Sequence, residues 1–207
     1  MPPERKDKNM RRLMCFLIIA IAVITFAYGE EKNMTTTLNG KKVLMIIAAE
    51  GFQDEEFGQP YNLLTKLGAT VKIACSRKGT AKGIFGRQAT PDLLIGECKA
   101  DDYDAVVFIG GPGASEYFNN PEAHALARAA VAKNKLLGAI CIAPVTLANA
   151  GVLKGKQATV FPSEQDQLAG QGARLVQQDV VVDGRIVTAV GPKAARQFAE
   201  TLAKLLQ

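Results

Sequence analysis

The residue with most chemistry to offer in this 207-residue chain is Cys141, delivered by the run Leu136-Leu137-Gly138-Ala139-Ile140-Cys141-Ile142-Ala143-Pro144. The apolar stretch reads as a buried strand and the residues after Ile142 as a helix, so the thiol falls on a strand-to-helix corner. A thiol there sits at the positive end of a helix dipole, which favours its thiolate form. Such a thiolate is a nucleophile or a redox sensor; the alternative is a small buried hydrophobe, the usual state of a free cysteine. Attack on a carbonyl also needs donors for an oxyanion, and the backbone N–H groups of Ile142 and Gly111 are the ones on offer. Glycine at 111, within Gly110-Gly111-Pro112-Gly113, lets the backbone come close. A proton-shuttling carboxyl group is the third requirement. The acidic stretch Glu50-Gly51-Phe52-Gln53-Asp54-Glu55-Glu56 supplies one, although acidic residues at a helix start also match the dipole and cap, as Asp54 is expected to do.

Other reactive side chains fit blander roles. Cys15, Cys75 and Cys98 complete the cysteines, with no C-x-x-C spacing and an odd number once Cys15 is set aside, so no disulfide scaffold is expected. Cys75 and Cys98 are both expected to be unreactive, with exposure and oxidation of Cys98, near a loop beside Lys99, as the alternative. The single histidine, His124, is expected within a helix after Pro121, solvated or capping, and one imidazole makes no zinc site. Arg77 and Lys78 read as a solvated turn or an anion contact, and Asp101, Asp102 and Asp104 as a solvated strand approach.

The elements that must position these residues follow from hydrophobic pattern. Val43–Ala48, Val71–Cys75, Asp104–Ile109 and Leu136–Cys141 are apolar runs suited to parallel strands buried on both faces. Helical spacing occupies the stretch from Asp54 to Leu67, interrupted by Pro60, which is expected to kink it. It recurs over Pro121–Asn134, Ala143–Ala150, Ser163–Ala169 with Ser163 as cap, and the C-terminal segment after Pro192. Gly79–Glu97 reads as a hairpin excursion, Gln157–Phe161 as a short strand, and Val176–Val182 with Arg185–Val190 as a hairpin turned by Asp183-Gly184. Strands alternating with helices make an open α/β sheet. In such sheets ligands bind beyond the carboxyl ends of the strands, where the Glu50–Glu56, Gly110–Gly113 and Cys141 loops converge.

With 48% hydrophobic and 22% charged residues the chain has an ordinary globular composition. Its net charge of +5 is concentrated at the start, where Arg5, Lys6, Lys8, Arg11 and Arg12 face only Glu4 and Asp7. The remainder holds 20 basic against 18 acidic residues, +2, which gives no warrant for a nucleic-acid partner. Residues 1–29 have the build of an export signal, with an uncharged run from Leu13 to Ala27 and cleavage expected after Gly29. An uncleaved membrane anchor and a cytoplasmic product begun at Met34 are the alternatives. Residues 30–40 read as a linker and 41–207 as the folded domain.

Five segments in order resemble the ThiJ/PfpI family, which includes the parkinsonism-associated deglycase and archaeal intracellular proteases. They are Glu56-Phe57-Gly58-Gln59-Pro60, Gly110-Gly111, Ala139-Ile140-Cys141 with Pro144, Ala150-Gly151-Val152-Leu153-Lys154-Gly155-Lys156, and Val180-Val181-Val182-Asp183-Gly184. The resemblance implies a flavodoxin-like three-layer sandwich, similar to class I glutamine amidotransferase domains, with a mostly parallel sheet and helices on both faces. It implies a reactive Cys141 on a nucleophile elbow, Glu56 as the carboxylic acid beside it, and Gly111 and Ile142 as oxyanion donors. A homodimer or higher homo-oligomer without metal or organic cofactor is the family habit, and Glu116 beside the glycine loop is a candidate contact to substrate or a neighbouring subunit. One departure narrows the chemistry: Ile142 stands where the protease branch has histidine, and Phe161 where the deglycase branch has one near the site. Peptide hydrolysis then lacks an obvious acid for its leaving amine, and an amidotransferase-like role is weakened in the same way. The expectation is a cysteine-dependent hydrolase or lyase on small reactive carbonyls or carbonyl-modified proteins. Its alternative is a non-enzymatic oxidative-stress sensor or chaperone-like protein acting through Cys141.

Overall fold

A computed structural model describes residues 37–207, so the leader, with its export, anchor and Met34 readings, lies outside the described residues. No helix among the described residues is long and apolar enough to cross a membrane. The linker expectation is shortened at its end: Leu38 is fully buried and its N–H donates to the Leu67 carbonyl at 2.6 Å, so packing begins before Lys41.

From there the chain alternates as its pattern predicts. Strand β1 (Lys42–Ile46) leads through a short β2 (Glu50–Phe52) into α1 (Asp54–Lys66), which returns to β3 (Thr70–Cys75). A hairpin of β4 (Ala81–Gly83) and β5 (Gln88–Ala89) follows, then β6 (Leu93–Leu94), β7 (Ala105–Phe108), α2 (Pro121–Ala132), β8 (Leu136–Ile140) and α3 (Pro144–Asn149). The last third holds β9 (Gln157–Ala158), α4 (Gln165–Gly170), β10 (Arg174–Leu175), β11 (Val180–Asp183), β12 (Ile186–Ala189) and α5 (Ala195–Leu206). Seven strands form the main sheet in the order β11-β12-β8-β7-β1-β3-β6, all parallel except β11. Taken in chain order, its five central strands β3, β1, β7, β8 and β12 are arranged 2-1-3-4-5, the flavodoxin-like order. Side chains alternate across the pleat. Val43, Met45 and Val107 meet Leu64, Phe198 and Leu202 of α1 and α5, while Leu44, Ile46 and Phe108 join Leu126 and Leu147 of α2 and α3 in the opposite layer.

Where the structure departs from the sequence reading, a competing contact explains it. Gln53, not Asp54, caps α1: its side-chain oxygen accepts the Glu56 N–H at 2.8 Å. The Asp54 carboxylate is drawn instead to the hairpin, accepting the Phe85 and Arg87 N–H groups at 2.9 and 2.7 Å. Glu50–Phe52, read as loop, is β2 and pairs with β4. Only the first part of Gly79–Glu97 is a hairpin, since Leu93–Leu94 joins the main sheet parallel to β3. Ser163 does not cap a helix, its hydroxyl donating to Glu164 instead. Asp183 still belongs to β11 and pairs with Ile186, so the turn is made by Gly184 and Arg185, and β11 begins at Val180.

Candidate active site

β3 and β7 flank β1 on opposite sides, so the direction of winding reverses there and the loops after β1 and β7 open a crevice at the carboxyl edge of the sheet. Cys141 follows β8 at this edge with φ +64°, a left-handed conformation that costs a non-glycine residue about 1–2 kcal/mol. The corner is held from both sides. Its N–H donates to Ala189 of β12 and its carbonyl accepts the Phe161 N–H, both at 2.9 Å. The residue is 7% exposed, and α3 starts only at Pro144 and runs six residues.

Glu56 comes from the first turn of α1 and is completely buried. The Gln53 N–H donates to the Gly110 carbonyl at 2.9 Å, joining the start of α1 to the glycine loop after β7. Gly110 is where the carboxyl group and the thiol meet: a Cβ there would lie 2.5 Å from both Cys141 Cβ and Glu56 Oε2. Gly111 has φ +101° and a Cβ on it would come within 2.5 Å of the Gly51 carbonyl oxygen, so two loop backbones pack where a side chain has no room. Neither Glu56 oxygen has a hydrogen-bond partner of regular geometry, yet the Cys141 thiol and the Gly110 amide are close enough to act on its charge.

Burial pushes the Glu56 carboxyl up to about 7, with the thiol and the Gly110 amide offsetting part of that effect. Burial, followed by the Glu56 charge, pushes the Cys141 thiol up to about 12. The Gly111 and Ile142 amides pull the thiol in the opposite direction, and the Glu56 hydrogen bond adds to the rise. The two backbone donors thus act against burial and the neighbouring carboxylate, and the two groups titrate as a coupled pair.

An open cavity of about 430 Å³ leads to the thiol. Gln53, Gly111, Cys141 and Ile142 contribute to its wall, together with Ile84 and Phe85 from the hairpin, Phe161, and a rim of Pro112, Ser163, Glu164 and Pro192. The sequence's sole imidazole is elsewhere: His124 sits in α2 with Nε2 2.8 Å from the Phe118 carbonyl. Glu116 is not in the cavity wall; it accepts from the Ala49 N–H at 3.2 Å and the Ser76 hydroxyl at 3.1 Å, tying together the loops after β1 and β3. Arg77 pairs with Glu50. Cys75 is buried, and half-buried Cys98 donates to the Leu94 carbonyl at 3.4 Å with its thiol pushed up to about 11 by burial and Glu97. Its partial burial leaves Cys98 less open than the exposed thiol given as the alternative. A second hollow, of about 370 Å³, lies beside Cys98 and α2. Sequence reasoning missed Gln53, Ile84 and Phe85 as site residues. Their signals were a polar residue three before Glu56 and an apolar pair between Gly83 and Gly86.

The DJ-1/PfpI family profile matches residues 41–205. A deglycase of Pyrococcus horikoshii is 33% identical over 166 residues, 80% of this chain and 99% of the relative. A glutathione-independent glyoxalase of Caenorhabditis elegans is 26% identical over 167 residues, 81% of this chain and 89% of the relative. Among solved structures, a ThiJ/PfpI domain protein from Brachyspira murdochii superposes with a TM-score of 0.79 at 31% identity, covering 81% of this chain and 98% of that one.

Proposed function

The chain belongs to the DJ-1/PfpI family, and from that premise we propose that it is a cysteine-dependent enzyme acting on small reactive carbonyls or their adducts, of glyoxalase or deglycase type. The observation that carries this reading is the meeting of Cys141 and Glu56 across Gly110, with the Gly111 and Ile142 amides directed at the sulfur. A thiol with a pKa near 12 needs a base as it attacks, and a carboxylate with a pKa near 7 is matched to that task at neutral pH.

For an α-oxoaldehyde the steps balance without an external oxidant. The Cys141 sulfur bonds to the aldehyde carbon, the carbonyl electron pair moves to oxygen under the two amides, and the thiol proton passes through Glu56 to that oxygen, giving a hemithioacetal. Glu56 then moves the proton of the former aldehyde carbon to the neighbouring carbonyl carbon through an enediol, oxidising the first carbon as the second is reduced. Water cleaves the resulting thioester, releasing a 2-hydroxy acid and the free thiol.

Peptide hydrolysis is disfavoured by the absence of an imidazole from the cavity wall. The test is conversion of methylglyoxal to lactate by the purified protein. Cys141→Ser is expected to abolish turnover and Glu56→Gln to lower kcat by about 10²-fold or more, the usual size of a general-base contribution. A wild-type protein inert across a panel of aldehydes, esters and carbonyl adducts would overturn the proposal, as would an active Cys141→Ser variant.

A further inference from the structure

The wall above Cys141 is largely apolar. Phe85 is 77% exposed, Ile84 43% and Phe161 39%, and all three line the cavity. The Phe85 ring stands in solvent, yet its backbone is fixed: its N–H and that of Arg87 donate to the buried Asp54 carboxylate, and the Ile84 N–H donates to the Phe52 carbonyl at 3.0 Å. A fixed backbone presenting an exposed aromatic ring beside a nucleophile is suited to gripping a ligand, because little further ordering is needed on binding. Charge adds a second constraint. Among the described residues no lysine or arginine lines the cavity, and the one charged lining residue is Glu164, an acid.

We infer that this site selects uncharged reactive carbonyls bearing an aromatic or branched apolar substituent, held between Phe85 and Phe161, and excludes anionic ones. The inference rests on the carbonyl-enzyme reading above and names its substrate class. The bond formed is the same sulfur-to-carbonyl-carbon bond. The substituent sets only how long and how well that carbon is held.

Two measurements on the purified full chain test it. The first compares kcat/KM for phenylglyoxal, methylglyoxal and mesoxalic semialdehyde, α-oxoaldehydes that differ at one substituent: aryl, methyl and carboxylate. Phenylglyoxal is expected to exceed methylglyoxal by about tenfold, the worth of one well-placed aromatic contact, and the anionic semialdehyde to fall below both. Phe85→Ala is expected to collapse the phenylglyoxal-to-methylglyoxal ratio toward one, mainly through KM. The second measures alkylation of Cys141 by 2-bromoacetophenone, iodoacetamide and iodoacetate, read by intact mass with Cys141→Ser as the blank for Cys75 and Cys98. Relative to glutathione, the aryl reagent is expected to gain about tenfold over iodoacetamide and iodoacetate to lose as much.

Turnover of methylglyoxal without either preference overturns the inference and leaves the enzyme reading standing. Labelling preferences with no turnover of any aldehyde overturn the enzyme reading and leave the selectivity standing. Concentration-dependent self-association that Phe85→Ala abolishes, with substrate and labelling ratios unaltered, assigns the apolar wall to a second copy of the chain and overturns the inference.

Discussion

A carboxyl group pushed up to about 7 is a statement about stability as well as reactivity. Folded Glu56 keeps a proton that the unfolded chain releases near its ordinary value of 4.5. Stability therefore falls as pH rises through the window from about 4.5 to about 7, and the cost is fully present above it. The shift corresponds to about 3 kcal/mol. Denaturation of Glu56→Gln is expected to be flat across pH 5–8 and the variant more stable than wild type by up to that amount at pH 8; parallel curves would contradict the burial argument. The identity of this pair was legible in the sequence, since Cys141 announces itself at a corner and Glu56 matches a family segment. Its protonation was not. Whether a residue in the first turn of a helix is solvated or sealed depends on what packs over it, and here that is Gly110 from a loop 54 residues away.

At the scale of elements, the long strands and helices were readable because periodicity reports burial directly. Strands of two or three residues, such as β2, β6 and β10, carry too few positions to show a period and are defined by their pairing with β4, β3 and β9. Asp54 illustrates the same limit. Local sequence assigns it to a cap, whereas its carboxylate binds two amides of a hairpin more than 30 residues on. That hairpin forms one wall of the cavity, so Asp54→Ala is expected to destabilise the fold by about 1–3 kcal/mol, the cost of leaving buried donors unpaired. It is also expected to raise KM for aldehydes several-fold with a smaller effect on kcat. Chemical denaturation and steady-state kinetics check the two parts, and an unchanged KM would detach the hairpin from substrate binding.

Across the whole molecule, the 2-1-3-4-5 strand order explains why residues from three distant segments face one another. Glu56 follows β1, Gly110 and Gly111 follow β7, and Cys141 follows β8, all on the carboxyl edge of one parallel sheet. Strand–helix alternation made this convergence predictable, while Ile84 and Phe85, which form an apolar wall with Phe161, escaped notice because exposed hydrophobes in loops have no pattern. In the function proposed, the assembled pair works as one unit, with Glu56 accepting the Cys141 proton. Its most direct test is kcat/KM for methylglyoxal from pH 5 to 9 in wild type and Glu56→Gln. The wild-type profile is expected to rise on a limb centred at about 7, and the variant to be slower by about 10²-fold with that limb gone. A wild-type rate flat through neutrality, or a variant that keeps the same rate and limb, would contradict it.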